Sequence, residues 1–168
     1  FGRQFSLLAQ RFGDREALVN IERGRRFTFR ELHLLTNQIC NMMSERLELR
    51  RGDVYLSILE NDNLSLLHHW TVFKAEGTAA WTNYRDSLEE HLWQVDLVKP
   101  KVVFLERELL DSHAGPLLDR GIEVVSMDPP AEEWEGVHDF WKLVENASNE
   151  DPGVEHATYE DAVLLRFT

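Results

Sequence analysis

The chain has 168 residues, a formal net charge of −12, 43% hydrophobic residues and a single Cys. That length suits one domain, and the apolar and aromatic content excludes an intrinsically disordered chain. One Cys excludes a disulfide framework, no apolar run reaches the roughly 20 residues of a membrane-spanning helix, and the acidic balance disfavours nucleic acid as a partner.

The first quarter of the chain predicts a helix, a hairpin and a second, longer helix. Segment 1–13 has helical apolar spacing, and strands over 17–21 and 26–29 flank a short turn. Thr28 stands three residues before Glu31, the spacing of a capping box that opens the second helix. The apolar stripe of that helix comprises Leu32, Leu35, Ile39 and Met43.

Strands and helices then alternate to the end of the chain. Predicted strands cover 54–59, 78–81, 101–105, 122–127 and 162–167. Predicted helices begin near 60–63, at a second capping-box pair (Ser87 and Glu90), at 106 and at 137. Pro116 is expected to start a fresh turn in the helix over 106–120, and the last helix covers 137–147. Residues 128–135 and 148–158 are expected to form a loop and a linker.

This order of elements predicts an α/β fold with a doubly wound, mostly parallel sheet flanked by helices. We expect residues 1–147 to form an α/β subdomain and residues 148–168 to form a linker and a strand. Ligands of such sheets bind beyond the carboxyl ends of the strands, where the strand order changes. That rule places a candidate site at loops 60–63 and 82–87.

The sequence carries no recognisable catalytic motif. It lacks G-x-G-x-x-G, a complete G-x-x-x-x-G-K-[ST] and G-x-S-x-G. The adjacent His68 and His69 point about 100° apart on a helix, so we interpret them as helix surface or the edge of a substrate cleft. Loop acids at 132, 133 and 135 lack oriented carbonyl groups for cation binding. We predict no metal site and no catalytic residue in this segment.

The charge is unevenly distributed along the chain. Residues 1–51 contain ten Arg and six acidic residues, whereas residues 105–168 contain four basic and sixteen acidic residues. We interpret the acidic excess as a solvated surface that favours solubility.

Residues 26–32, Arg-Phe-Thr-Phe-Arg-Glu-Leu, resemble the start of an adenylate-forming (AMP-binding) enzyme. This superfamily contains acyl-CoA synthetases, luciferases and peptide-synthetase adenylation domains. Its first core motif is an aromatic residue, Thr, an aromatic residue, any residue, Glu and Leu, matched here around Thr28 and Glu31. The family's Gly-Asp before a buried strand is similar to Gly52 and Asp53.

The resemblance continues in the right order to the end of the chain. Lys74 and Gly77 lie in a segment similar to the family's Leu-Lys-Ala-Gly-like element. Asn83 and Arg85 resemble the Asn-x-Arg that precedes an acidic helix. The last eight residues resemble the strand that enters a Thr/Ser/Gly-rich phosphate loop, so Thr168 would be the first residue of that loop.

Two local features refine the resemblance. Trp81-Thr82 stands where many relatives have a Pro-containing element. Segments 59–61 and 83–85 look more like the fatty-acid-transport and very-long-chain acyl-CoA synthetase branch than like peptide-synthetase domains.

The resemblance implies a two-step ligase. A carboxylate, a fatty acid in that branch, attacks the α-phosphate of Mg-ATP to give an acyl-adenylate and pyrophosphate, and the thiol of CoA then displaces AMP. ATP, Mg²⁺ and CoA are therefore expected for the whole protein, whereas this segment alone is expected to be inactive because the family's reactive groups follow Thr168. The single Cys, which suits a reducing compartment, and the absence of a signal-peptide pattern or a long apolar run predict a cytoplasmic protein without a membrane span; peripheral membrane association and a homodimer stay open.

Two alternatives remain open. One keeps the superfamily but changes the acceptor or the reaction, as in a domain that loads a carrier protein or a luciferase-like enzyme. The other is a standalone, non-catalytic α/β binding or interaction module. A Ser/Thr/Gly-rich loop followed by Lys after Thr168 would favour the ligase.

Overall fold

A computed structural model describes residues 2–72, 74–129, 134–153 and 162–167 of the chain. The helices are α1 (Gly2–Phe12), α2 (Phe29–Glu45), α3 (Asn61–Thr71), α4 (Leu88–Val98), α5 (Leu110–Leu118, after a 3₁₀ turn at Arg107–Leu109) and α6 (Phe140–Glu145). The strands are β1 (Glu16–Asn20), β2 (Arg25–Thr28), β3 (Val54–Ile58), β4 (Thr78–Trp81), β5 (Val102–Leu105), β6 (Glu123–Ser126), β7 (Val137–Asp139) and β8 (Leu164–Arg166). The predicted loop over 128–135 and linker over 148–158 lie partly outside the described residues. Within those residues, no helix is long and apolar enough to cross a bilayer.

Six strands of the described chain form one sheet in the order β7-β6-β5-β3-β4-β8, and every neighbouring pair is parallel. The antiparallel pair β1 and β2 forms a separate hairpin. After β3 the chain places β4 on one side and β5 on the other, so the strand order changes direction at β3. The predicted doubly wound α/β fold is confirmed.

Side chains of the central strands enter two cores, because successive residues of a strand face opposite sides. Tyr55 on β3 and Phe104 on β5 are fully buried in one core, with residues of α2 and α6. Leu56 and Val103 lie in the other core, with residues of α4 and α5. The uninterrupted apolar runs of these strands therefore reflect a sheet covered on both faces.

Helix α2 begins at the predicted capping box. The Thr28 hydroxyl accepts a hydrogen bond from the Glu31 backbone N–H at 3.2 Å, and the Glu31 carboxylate accepts one from the Thr28 backbone N–H at 2.9 Å. That backbone hydrogen bond, together with the Thr28 hydroxyl, lowers the pKa of Glu31. Ser87 and Glu90 form the second predicted box at the start of α4. Both predicted capping boxes are therefore confirmed. The sequence can predict this motif because its paired groups lie within one helical turn.

Two local expectations are wrong. Val137–Asp139 form a strand rather than the start of a helix, because they pair with β6 and the Asp139 side chain then caps α6. Pro116 lies inside α5 instead of starting a turn. Its ring removes the hydrogen bond that would reach the Ser112 carbonyl, but Ser112 is exposed, so water can satisfy that carbonyl.

Backbone geometry explains the glycines at two motif positions. Gly52 has φ +95°, in the left-handed region that other residues rarely adopt. Gly77, directly before β4, lies against Leu49, and an added Cβ would be 2.5 Å from Leu49 Cδ2 and 3.3 Å from the Asp53 carbonyl oxygen. Leu49 is fully enclosed in the core, so it has little room to move.

We predict that Gly77→Ala lowers the free energy of unfolding by about 1–3 kcal/mol, because an extra methyl group must be forced into a close-packed site. Gly115 is the matched control, since it is exposed on α5 and no atom lies within 4 Å of an added Cβ. Gly115→Ala should raise the free energy of unfolding by about 0.5–1 kcal/mol. Urea unfolding followed by circular dichroism measures both, and stabilisation by Gly77→Ala would contradict the close approach to Leu49.

Candidate functional site

The candidate site lies at the carboxyl edge of the main sheet, beyond the ends of β3, β5 and β6. The strand order reverses at β3, and ligands of open α/β sheets bind in the crevice at such a position. Both loops that the sequence predicts for this role, 60–63 after β3 and 82–87 after β4, leave the sheet at this edge.

Arg23, in the turn between β1 and β2, contacts four carboxylates at this edge. Its Nε donates to Asp62 Oδ2 at 2.5 Å and its Nη2 donates to Glu106 Oε2 at 3.1 Å. Nη2 also donates to Glu60 Oε2 at 3.4 Å, and Nη1 donates to Asp128. We call these five residues, together with Arg25 and Asn63, the arginine cluster.

Arg25 contributes a second guanidinium from the same hairpin. It donates to Asp128 Oδ1 at 2.5 Å and to Asn63 Oδ1 at 2.9 Å. Its guanidinium carbon lies 4.8 Å from the centroid of the Trp141 ring, a cation–π contact. Because Asn63 belongs to α3 and Trp141 to α6, Arg25 links the hairpin to two helices.

Glu106 is the buried centre of the arginine cluster. Its fully buried carboxylate accepts hydrogen bonds from the Glu60 backbone N–H at 2.9 Å and from Asn63 Nδ2 at 2.9 and 3.0 Å. Burial disfavours the charged form and raises the pKa of Glu106 to about 7, although the hydrogen bonds and Arg23 oppose this change. The carboxyl group therefore changes its charge near neutral pH.

The loop after β4 faces the same carboxylates. Burial raises the pKa of Tyr84, and the charges of Glu60, Glu108 and Glu106 raise it further. The charge of loop 60–63 therefore acts on loop 82–87.

Two buried histidines fix the backbone of this loop at Asn83. A carbonyl oxygen only accepts, so His91 Nε2 donates to the Asn83 carbonyl at 3.0 Å. His91 Nδ1 lies 2.9 Å from His113 Nε2, and His113 Nδ1 lies 2.7 Å from Ser112 Oγ. Burial and the neighbouring His91 lower the pKa of His113. These contacts hold the Asn83 carbonyl in place.

Four of the motif residues lie at the opposite edge of the sheet. Gly52 and Asp53 precede β3, and Lys74 and Gly77 precede β4, so all four lie near the amino ends of these strands. Asp53 accepts a hydrogen bond from the Arg50 backbone N–H at 2.8 Å. The structure does not bring these residues, or the capping pair of α2, to the candidate site.

Lys74 is buried, and its hydrogen bonds connect parts of the fold. Its Nζ donates to Asn37 Oδ1 at 2.7 Å and to His33 Nδ1 at 3.0 Å. Burial lowers the pKa of Lys74, and burial together with the Lys74 charge lowers the pKa of His33. These contacts attach the connection between α3 and β4 to α2.

His68 is buried, contrary to its interpretation as helix surface or cleft edge. Its ring stacks on Tyr55 with centroids 5.6 Å apart, Trp81 Nε1 donates to its Nδ1 at 2.7 Å, and its Nε2 lies 2.6 Å from Ser57 Oγ. An indole N–H only donates, so the proton of the neutral imidazole lies on Nε2 and is donated to Ser57. His68 therefore cannot take a proton from Ser57, and this pair is not an activated nucleophile.

Strand β8 directs the end of the chain to the carboxyl edge. It pairs in parallel with β4, and the Thr78 hydroxyl donates to the Ala162 carbonyl at 2.8 Å. The chain therefore leaves β8 at the edge that also carries Asn83 and Arg85. Thr168, the predicted start of a phosphate loop, lies outside the described residues.

Sequence reasoning missed the arginine cluster. It located loop 60–63 but did not single out Arg23, Glu106 or Asp128. The available signal was weak: Glu106 and Asp128 directly follow buried strands, where the rule for ligand sites applies.

The chain belongs to the AMP-binding enzyme family, whose model matches residues 5–168. No match was found among the curated proteins.

Several solved structures share the fold. A point mutant of coronafacic acid ligase from Pectobacterium brasiliense is 12% identical, with a TM-score of 0.82 over 99% of this chain and 33% of that chain. ATP-bound MatB from Rhodopseudomonas palustris is 19% identical, with a TM-score of 0.75 over 97% of this chain and 31% of that chain. A fatty acyl CoA synthetase from Mycobacterium tuberculosis is 17% identical, with a TM-score of 0.75 over 99% of this chain and 32% of that chain. The chain spans about a third of the length of each.

We predict that Glu106 makes the protein less stable as the pH rises from about 4.5 to about 7. In this window the folded state keeps a proton that the unfolded chain has released, so a rise in pH favours unfolding. The free energy of unfolding should fall by roughly 2–3 kcal/mol across the window, since one pKa unit corresponds to about 1.4 kcal/mol. Urea unfolding at a series of pH values measures this change.

Two variants test the assignment to Glu106. Glu106→Gln should remove this part of the pH dependence, because the amide does not titrate. Glu108→Gln, at an exposed position two residues away, should retain it. A Glu106→Gln profile that matches the unsubstituted protein would show that another group is responsible.

Proposed function

We propose that the chain is the N-terminal part of an acid–thiol ligase. In the first step, a carboxylate oxygen attacks the α-phosphorus of ATP, which forms an acyl-adenylate and releases pyrophosphate. In the second step, the CoA thiol attacks the acyl carbon, loses its proton and displaces AMP. The family match over residues 5–168 carries this proposal, and the parallel sheet with β8 at its edge supports it.

We assign Thr168 to the start of a phosphate-binding loop in this proposal. The support is the direction of β8, which runs parallel to β4 and so sends the following residues beyond the carboxyl edge. Asn83 and Arg85 follow β4 at the same edge. Backbone N–H groups of a Gly/Ser/Thr-rich loop would stabilise the charge that develops on the transferred phosphate.

Mg²⁺ supplies further charge neutralisation on the phosphates when it is bound with ATP. The acidic residues of the arginine cluster do not fit this ion, because all four contact Arg23 and Glu106 has a pKa of about 7. We therefore propose that the groups that bind ATP, Mg²⁺ and CoA lie beyond the described residues.

The other motif residues have architectural roles in this proposal. These residues are Thr28, Glu31, Gly52, Asp53, Lys74 and Gly77. Their hydrogen bonds and close approaches hold α2 and the amino ends of β3 and β4 in place.

We also propose a division between residues 1–147 and residues 148–168. Residues 148–150 are held against α2, because Asn41 Nδ2 donates to the Ser148 carbonyl at 2.7 Å and to the Glu150 carbonyl at 2.9 Å. The finer proposals are a fatty acid as the carboxylate, which rests on the family resemblance at 59–61 and 83–85, and a cytoplasmic location, which rests on the single Cys of the chain.

We predict that the whole protein catalyses carboxylate-dependent exchange between ATP and pyrophosphate, and that residues 1–168 alone do not. The physical reason is that the proposed phosphate-binding and acyl-binding groups follow Thr168. Labelled pyrophosphate measures the exchange with a panel of acids of different chain length.

The outcomes separate the parts of this proposal. Exchange with long-chain acids would support the fatty-acid substrate, and exchange only with other acids would overturn it. Exchange by residues 1–168 alone would overturn the claim that this segment is catalytically incomplete. If the whole protein catalyses no exchange with any acid, the proposal of a ligase is overturned. Thioester formation with CoA tests the acceptor.

A further inference from the structure

Arg23 reaches from a separate hairpin to the carboxyl edge of the main sheet. Its partners Asp62, Glu106 and Asp128 are 39, 83 and 105 residues away in the chain. The turn that carries it is held by Asn20, whose side-chain oxygen accepts the Arg23 backbone N–H at 3.1 Å. The guanidinium therefore belongs to the hairpin but lies among groups of other elements.

The surroundings of Arg23 match a guanidinium. Each of its three nitrogens donates to at least one carboxylate. The Arg23 side chain is only 19% exposed, and those of Asp62, Asp128 and Glu106 are 16%, 15% and 0% exposed. A planar guanidinium presents its donors in a fixed arrangement, which the single ammonium group of Lys cannot reproduce.

The four carboxylates around Arg23 require a cation at the position of its guanidinium. Four carboxylates face two arginines, so the cluster has two uncompensated negative charges when all its groups are ionised. Without Arg23, only Arg25 would remain, and it contacts Asp128 but is not bonded to Glu106 or Asp62. Buried carboxylates that lose their partner are strongly destabilising.

We propose that the carboxyl edge beyond β3, β5 and β6 is a guanidinium-binding site and that Arg23 is its built-in ligand. The hairpin is thereby held over the position where the strand order reverses. ATP, CoA and the substrate carboxylate of the proposed reaction are anions, so the site keeps them away from this part of the edge and leaves them the part beyond β4 and β8. Only this consequence rests on the proposed function, because the site itself is tested without any substrate.

Several titratable groups face Arg23. They are Glu60 and Asp62 at the start of α3, Tyr84 after β4, Glu106 after β5, Asp128 after β6, and Arg25 of the hairpin itself. Burial raises the pKa of Asp62, but hydrogen bonds from Arg23 and from the Asn63 backbone outweigh it and lower that pKa. Glu106 therefore loses its charge before Asp62 as the pH falls, and Arg23 keeps the ionised Asp62 as a partner.

The test is hydrogen exchange of the hairpin in the whole protein. Arg23→Ala should accelerate exchange of the backbone amides of β1 and β2 by about tenfold or more, because the hairpin then opens more often. Millimolar ethylguanidinium chloride should raise the free energy of unfolding of Arg23→Ala, since it can occupy the empty site and pair with its carboxylates, whereas equimolar sodium chloride should not. Arg26→Ala is the matched control, because Arg26 lies in the same hairpin but pairs with Glu16 at an exposed position. It should change exchange by less than about twofold.

Three outcomes would overturn the proposal. One is equal exchange of the hairpin amides in Arg23→Ala and Arg26→Ala. Another is an Arg23→Ala variant that sodium chloride stabilises as much as ethylguanidinium chloride does. If Arg23→Ala accelerates exchange throughout the main sheet, it fails to separate the hairpin from the rest of the fold. In that case Arg23→Lys is the test, because it keeps the charge and loses the planar donors. Faster hairpin exchange in Arg23→Lys supports a guanidinium-specific site, and exchange like that of the unsubstituted protein would overturn it.

Discussion

The burial of the Glu106 carboxylate opposite the Arg23 guanidinium is the interaction on which the carboxyl edge of this sheet depends. Glu106 directly follows a strand that is covered on both faces, so it leaves water as the sheet forms. Asn63 and the Glu60 backbone supply hydrogen bonds, but a charge of opposite sign comes from the hairpin. The positions of the hairpin, of α3 and of the residues after β6 therefore depend on one another.

The sequence predicts the elements whose signals lie within one turn or one strand. Thr28 and Glu31 identify the start of α2 because a capping box spans three residues, and the apolar run of β5 indicates burial on both faces. Strand β7 is not predictable in this way, since Val137–Asp139 become a strand only by pairing with β6. The buried position of His68 likewise depends on Trp81, a residue of another element.

The candidate site is only partly predictable for the same reason. The rule for doubly wound sheets locates its edge and loop 60–63, but Arg23, Glu106 and Asp128 are interpreted locally as a turn residue, the first residue of a helix and the first residue of a loop. Strand order places the ends of β3, β5 and β6 side by side and so brings these residues together. The family model matches residues 5–168, and four of the motif residues that carry the resemblance (Gly52, Asp53, Lys74 and Gly77) lie at the opposite edge.

A double-mutant cycle between Arg23 and Glu106 tests this account most directly. The free energy of unfolding is measured for the unsubstituted protein, Arg23→Met, Glu106→Gln and the double variant, well above and well below the Glu106 pKa of about 7. We expect a coupling of about 1–3 kcal/mol at the higher pH that decreases at the lower pH, where Glu106 is protonated. Effects that add to within about 0.5 kcal/mol at the higher pH would contradict the account, because independent residues behave in that way.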